Sequence, residues 1–188
     1  MMPNKPKFPL ARALAVANEI KSLLAPFCER IEIAGSLRRG KPEVGDVELL
    51  FIPRVESRQE DFFSSAPVDL AAEMIENMLA SQLLAKRPAK TGVFTWGDLN
   101  KLAVHLPSGI PVDLFSEPNA EDWARSLVIR TGPRESNINL ITTAAKLGIG
   151  VHAYGVGLTD RNGNRIPCES ELEFFKICGV TYREPNER

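Results

Sequence analysis

The stretch IAGSLRRGKPEVGDVELLFIP, residues 33–53, constrains this chain more than any other, because it places an anion-binding turn and a pair of carboxylates within one turn-and-strand unit. The apolar run from Ile31 to Ala34 reads as a strand. Gly35 and Ser36 then turn the chain, and Leu37, Arg38 and Arg39 begin a helical turn. Free amides at that start, the Ser36 hydroxyl and the Arg39 guanidinium converge where a triphosphate can lie. Gly40, Pro42 and Gly45 break the chain before a second strand, Asp46 to Ile52, whose alternation puts Asp46 and Glu48 on one face. Two acids on a strand otherwise made of Val, Leu, Phe and Ile cost solvation and repel one another unless a cation holds them. Oxygen-only ligands suit magnesium or manganese.

A third acid stands further along. Pro107-Ser108-Gly109-Ile110 reads as a hairpin turn that returns the chain as Pro111-Val112-Asp113-Leu114-Phe115. Asp113 lies between two apolar neighbours, so its side chain faces opposite to theirs. If this strand pairs beside Asp46 to Ile52, three carboxylates converge, enough for two divalent ions side by side. His105, on the preceding strand Lys101 to Leu106, reads as an exposed strand residue, since hard oxygen-coordinated ions rarely recruit imidazole.

The remaining pattern is α+β. Residues 1–7 form a tail rich in Pro and Lys, and Leu10, Leu14, Ala17, Ile20 and Leu24 mark a packing helix over 10–24. Residues 54–67, polar and charged, read as an exposed loop, followed by an amphipathic helix from about Leu70 to Leu83 with Leu70, Met74, Met78 and Leu79 as its buried face. Lys86 to Phe94 reads as a strand or extended segment, and Trp96, in the following turn, as a buried tryptophan sooner than one that stacks on a base. After Phe115 come a loop, a short helix from Trp123 to Ile129, a break at Arg130-Thr131-Gly132-Pro133 and a helix opening at Ser136 or Asn137. A small sheet, Tyr154–Thr159 and Arg165–Pro167 around a DRNG turn, precedes a last helix with Ser170 as N-cap. Two domains follow, 1–117 and 118–188.

Hydrophobic content of 44% and charged content of 25% suit a soluble globular protein, and no run is apolar enough to cross a bilayer. The N-terminus lacks a signal-peptide core. Three cysteines without a close pair fit reduced, structural thiols in a cytoplasm. A net charge of -1 does not advertise nucleic-acid binding, yet the bases cluster, at Arg38/Arg39/Lys41, Lys86/Arg87/Lys90 and Arg125/Arg130/Arg134, apart from the acids.

These motifs together resemble the nucleotidyltransferase superfamily and, within it, the X family of DNA polymerases typified by polymerase beta. GSLRRGKPEVGDVEL resembles the family's Gly-Ser, Arg-Arg-Gly and Gly-Asp-x-Asp signature, and PVDLF the strand bearing its third acid. RTGPRESN resembles the thumb's Thr-Gly turn, and residues 154–188 its C-terminal end through Tyr-Arg-x-Pro. The resemblance implies a palm over 1–117, built on a mixed or antiparallel sheet with flanking helices, and a small α+β thumb over 118–188, without lyase domain or helix-hairpin-helix repeats. It implies that Asp46, Glu48 and Asp113 bind two Mg2+ or Mn2+ ions. Gly35, Ser36, Arg39 and Gly45 would hold the phosphates, and Arg130, Gly132 and Asn137 would line the nucleotide. The activity implied is metal-dependent transfer from a dNTP to a primer 3'-hydroxyl on gapped or primer-template DNA, by a monomer in a prokaryotic or virus-infected cell. An RNA end, a small molecule or a protein hydroxyl is the alternative acceptor. Two departures stand out: Glu48 replaces the family's aspartate, and Ile129-Arg130 replaces the Tyr-Phe pair that screens the sugar 2' position.

Overall fold

Apolar runs in the first half of the chain stack into a mixed sheet, and those in the second half close a separate helical core. The structure, a computed structural model, describes residues 6–59 and 64–188. The chain divides into two compact units, Met1–Ile33 with Pro42–Pro118, and Ala34–Lys41 with Asn119–Arg188. The GS turn therefore groups with the C-terminal unit, and a single cut near residue 117 does not capture the division.

In chain order the first half contains β1 (Phe8–Pro9), α1 (Leu10–Leu24), β2 (Cys28–Ile33), α2 (Gly35–Arg38), β3 (Glu43–Val44) and β4 (Val47–Pro53). Next come β5 (Val55–Gln59), β6 (Ser65–Asp69), α3 (Leu70–Ala80), β7 (Leu84–Lys86), β8 (Asn100–His105) and β9 (Ile110–Ser116). Except for α2, these form the first unit. Its main sheet has the order β2-β4-β9-β8-β7. Only the β4–β9 pair is parallel. Leu49, Leu50, Phe51 and Ile52 of β4 are all buried, as expected of a strand covered on both faces.

Helix α1 has the expected bounds but a rotated face. It lies against β2 and β4 and buries Ala13, Val16, Ala17, Ile20 and Leu24, while Leu14 is 38% exposed. Ala17, Ile20 and Leu24 keep their expected places, while Ala13 and Val16 stand in the seam instead of Leu10 and Leu14. Helix α3 is capped by Asp69, which accepts from the Ala72 amide at 2.8 Å, and buries Ala71, Ile75 and Met78. It stops at Ala80, short of Leu83, just before Gln82 takes a left-handed φ of 59°.

The expected loop at 54–67 is instead a ribbon of β5 against β6, Val55 opposite Asp69 through Gln59 opposite Ser65. Every β5 side chain is exposed, so its sequence carries no apolar alternation. Residues 60–63 of that expected loop, and residues 1–5 of the expected tail, lie outside the described residues. The extended segment expected at Lys86–Phe94 reduces to the end of β7 and one bridge between Pro88 and Phe94. Trp96 is half-buried, not buried; its indole N–H donates to Glu76 at 2.9 Å and the Lys86 ammonium lies 4.6 Å above its ring.

The second unit holds α2, α4 (Trp123–Thr131), α5 (Arg134–Lys146), β10 (Gly150–Val151), β11 (Leu158–Thr159), β12 (Arg165–Ile166) and α6 (Glu171–Ile177). Val128, Leu140, Ala144, Leu158, Phe174 and Phe175 fill its core. Helix α4 runs two residues past the expected Ile129, and α5 opens at Arg134 rather than at Ser136 or Asn137. The three strands pair β10-β11-β12; β10 was not anticipated, and Tyr154 to Gly157 lies outside β11. Ser170 caps α6 as expected, accepting from the Glu173 amide at 3.1 Å. The fold is α+β. Among the described residues no helix is long and apolar enough to cross a membrane.

Cys28, Cys168 and Cys178 are free and buried. Burial, helped by Asp69, pushes the Cys28 thiol up to about 12; burial, helped by Glu173, pushes Cys168 up to about 11; and burial pushes Cys178 up to about 12. A raised thiol pKa means that the native state keeps protons the unfolded chain releases. The associated stability is therefore present below about 9 and lost as pH climbs through 11 to 12. At pH 8 Ellman's reagent is expected to label none of the three rapidly in the native protein and all three in denaturant. Rapid native labelling of any one would contradict its place in the core.

Candidate active site

In the first unit, β4 and β9 carry the acidic candidates. Their parallel register sets Glu48 directly beside Asp113, with Val47 beside Val112 and Leu49 beside Leu114. Both acids are half-buried, and their neighbours along each strand point into the core. Asp46 is also half-buried, but β4 begins at Val47, so Asp46 and Gly45 sit on the entering loop rather than in the strand.

Asp113 is engaged by a cation of the protein itself. The Arg87 guanidinium donates to Asp113 Oδ1 in an ion pair whose side chains are 21% and 14% exposed. Among the described residues, no three His, Cys, Asp or Glu side chains are gathered closely enough to hold a metal ion as they stand. The donor chemistry of Asp46, Glu48 and Asp113, oxygen only, fits a hard divalent ion, and Asp113 already presents an oxygen to a positive group.

His105 corrects the expectation of an exposed strand residue. It is 4% exposed, its Nδ1 lies 2.7 Å from Ser108 Oγ, and its Nε2 lies 3.4 Å from Glu19 Oε2. The imidazole thus staples the β8–β9 turn, where Ser108 Oγ also accepts from the Ile110 amide at 3.2 Å and the Ser108 carbonyl accepts from Arg12 at 2.9 Å.

In the second unit, Gly35 and Ser36 open α2, a single helical turn, as expected. The two arginines that follow are held by the protein. Arg38 donates to Thr131 Oγ1 at 2.8 Å and forks onto Glu171, with Nη1 to Oε2 at 3.0 Å. Arg39 donates to the Thr131 carbonyl. Next to it Gly132 has a φ of +63°, and a Cβ there would meet the Arg39 Nη1 at 3.3 Å. Glycine serves both the left-handed backbone and the close approach. Asn137 spends its amide N–H on the Ile129 carbonyl at 2.8 Å, tying the start of α5 to the end of α4. Arg130 reaches Tyr154, bonding its hydroxyl with the guanidinium carbon 5.2 Å from the ring centroid. An aromatic ring thus stands beside position 130 after all, contributed from 24 residues downstream.

Sequence reasoning missed the partners of these groups. Glu171 also accepts from Arg188 at 2.9 Å, and Arg188 lies over the Phe175 ring at 4.7 Å. Buried Asp122 is ion-paired with Arg125 at 3.5 Å and Arg165 at 2.9 Å. A Cβ on Gly157 would collide with its Oδ1 at 2.1 Å. Contacts 133 residues apart, as between Arg38 and Glu171, leave no local pattern to read.

Residues 126–188 match the family model of the DNA polymerase beta thumb. No curated protein matches the sequence.

Burial raises the Glu171 carboxyl, but hydrogen bonds from Arg38 and Arg188 outweigh it and hold the group below its ordinary value. A depressed carboxyl gives stability fully present above the ordinary value of 4.5 and lost as pH falls below it through the lowered value of the native state. Glu171→Gln, which leaves the half-buried Arg38 and buried Arg188 guanidinium groups without their counter-charge, is expected to cost about 3 kcal/mol. Denaturant unfolding at pH 7 and at pH 4 checks both points: the gap between variant and wild type should be large at pH 7 and shrink in acid.

Proposed function

We propose that this chain, whose residues 126–188 match the polymerase beta thumb, is a nucleotidyltransferase of the X-family kind that moves a nucleotide from a dNTP to a DNA primer 3'-hydroxyl in short gap filling. The thumb match carries this reading, since such a domain belongs to enzymes that extend DNA. The register of Glu48 beside Asp113, with Asp46 on the entering loop, supports it from the chemical side.

In this reading Asp46, Glu48 and Asp113 hold two magnesium or manganese ions. Such ions, when bound, lower the pKa of the attacking hydroxyl and neutralise the triphosphate. Asp113 lies nearest the primer end and accepts the proton of its 3'-hydroxyl. The 3'-oxygen bonds to the α-phosphorus, the bond from that phosphorus to the bridging oxygen breaks, and pyrophosphate leaves with the electron pair. Gly35, Ser36, Arg39 and the Gly45 amide bind the β- and γ-phosphates, for which Arg39 exchanges its bond to Thr131 for a phosphate oxygen. Gly132 and Asn137 border the sugar and base, beside the Arg130–Tyr154 pair.

Primer extension on gapped DNA, with and without a complementary template and with dNTPs and NTPs in parallel, tests the proposal. Template-directed incorporation is expected. Transfer only to an RNA end or a small molecule would move the activity to another acceptor, and no transfer at all would refute the reading. Asp46→Asn, Glu48→Gln and Asp113→Asn should each lower extension roughly a thousandfold, the scale of losing preorganised charge at the reacting centre. Glu48→Gln should at the same time hold or raise the melting temperature, because like charges side by side on neighbouring strands are mutually destabilising.

A further inference from the structure

Arg87 follows β7, and its backbone amide donates to the Leu102 carbonyl at 3.0 Å. Leu102 is the register partner of Asp113, and Asp113 that of Glu48. Arg87 is therefore level with both acids across three strands, and its side chain spans β8 to reach Asp113. The guanidinium is tethered as it does so: Nε donates to the Ala103 carbonyl at 2.9 Å, and Nη1 approaches the Pro88 carbonyl at 3.4 Å. Two main-chain anchors aim the remaining nitrogen at a carboxylate oxygen within a half-buried pair. In a planar fork so fixed, little entropy is lost in holding the contact, which makes it persistent.

We infer that Arg87 is a built-in counter-cation of Asp113, which occupies the carboxylate while the site is idle and which a divalent ion must displace. The inference rests on the proposed metal role of Asp113. Physically, Glu48 and Asp113 sit side by side on an apolar sheet, and their repulsion needs a positive group at all times. Arg87 supplies it without a metal.

The test is Mn2+ binding, with Mn2+ alone as probe, followed by electron paramagnetic resonance on the whole chain. The proteins are wild type, Arg87→Gln, Arg87→Lys and Arg87→Gln/Asp113→Asn, each checked for an unchanged melting profile. Arg87→Gln should bind Mn2+ roughly five- to tenfold tighter, the scale of removing one competing charge-assisted hydrogen bond. Arg87→Lys, which keeps a charge but loses the fork and its anchor on Ala103, should fall between and stands in should the glutamine variant not fold. The double variant should lose the gain. Equal or weaker Mn2+ binding by Arg87→Gln and Arg87→Lys, with the wild type binding normally, overturns the displacement role and leaves the proposed function standing. If no protein binds Mn2+, both fall.

Discussion

The parallel pairing of β4 with β9 is the contact on which the first unit depends. Two strands that are almost wholly apolar sit side by side in the sheet, and the register that buries Val47, Leu49, Val112 and Leu114 also sets Glu48 against Asp113. A slip of one residue would turn the slipped strand's side chains to the opposite face and part its acid from the other, so the register that buries these apolar residues also fixes the approach of the carboxylates. Their repulsion is a local cost that the surrounding hydrophobic burial outweighs. Arg87 reduces that cost by reaching across from the far side of β8.

The second unit solves a similar problem with charge at its centre. Arg38 and Arg188 converge on Glu171, and Arg125 and Arg165 on Asp122, with the aromatic residues Phe174, Phe175 and Tyr182 lying in sequence between Glu171 and Arg188. Breaking one partner of such pairs is far costlier than the pair is stabilising, which makes these residues mutually dependent. The segment from Ala34 to Lys41 belongs to this network through Arg38 and Arg39, although its sequence neighbours on both sides are strands of the other unit. The turn read from sequence as a phosphate cradle is therefore also a structural strap of the C-terminal unit.

Much of this was legible in the sequence where the signal is local. The bounds of α1, the Ser170 cap and the hairpin before Asp113 follow from periodicity, capping chemistry and turn residues, whereas the pairing of that strand beside β4 stood only as a condition until the register showed it. Helix faces were read less well, because periodicity marks large apolar residues while close packing of α1 selected Ala13 and Val16. The β5–β6 ribbon was invisible, since a strand exposed on both faces has no alternation. The burial of His105 and the partners of the arginines escaped notice for another reason: Glu19, Thr131, Glu171 and Asp113 are distant in sequence, and composition reveals only that a base is present.

Arg38, Arg39 and Arg87 separate two roles that sequence alone merges. All three lie in basic clusters that suggest anion binding, yet each is committed to an acceptor within the protein, Arg38 to a carboxylate and a hydroxyl, Arg39 to a carbonyl, Arg87 to a carboxylate and main-chain oxygens. A guanidinium already bonded in this way gains from a phosphate only the difference between two acceptors, whereas one in water gains the whole interaction less its hydration. Arg38, tied to a half-buried carboxylate through two nitrogens, has the most to lose by exchange and is the structural member of the set.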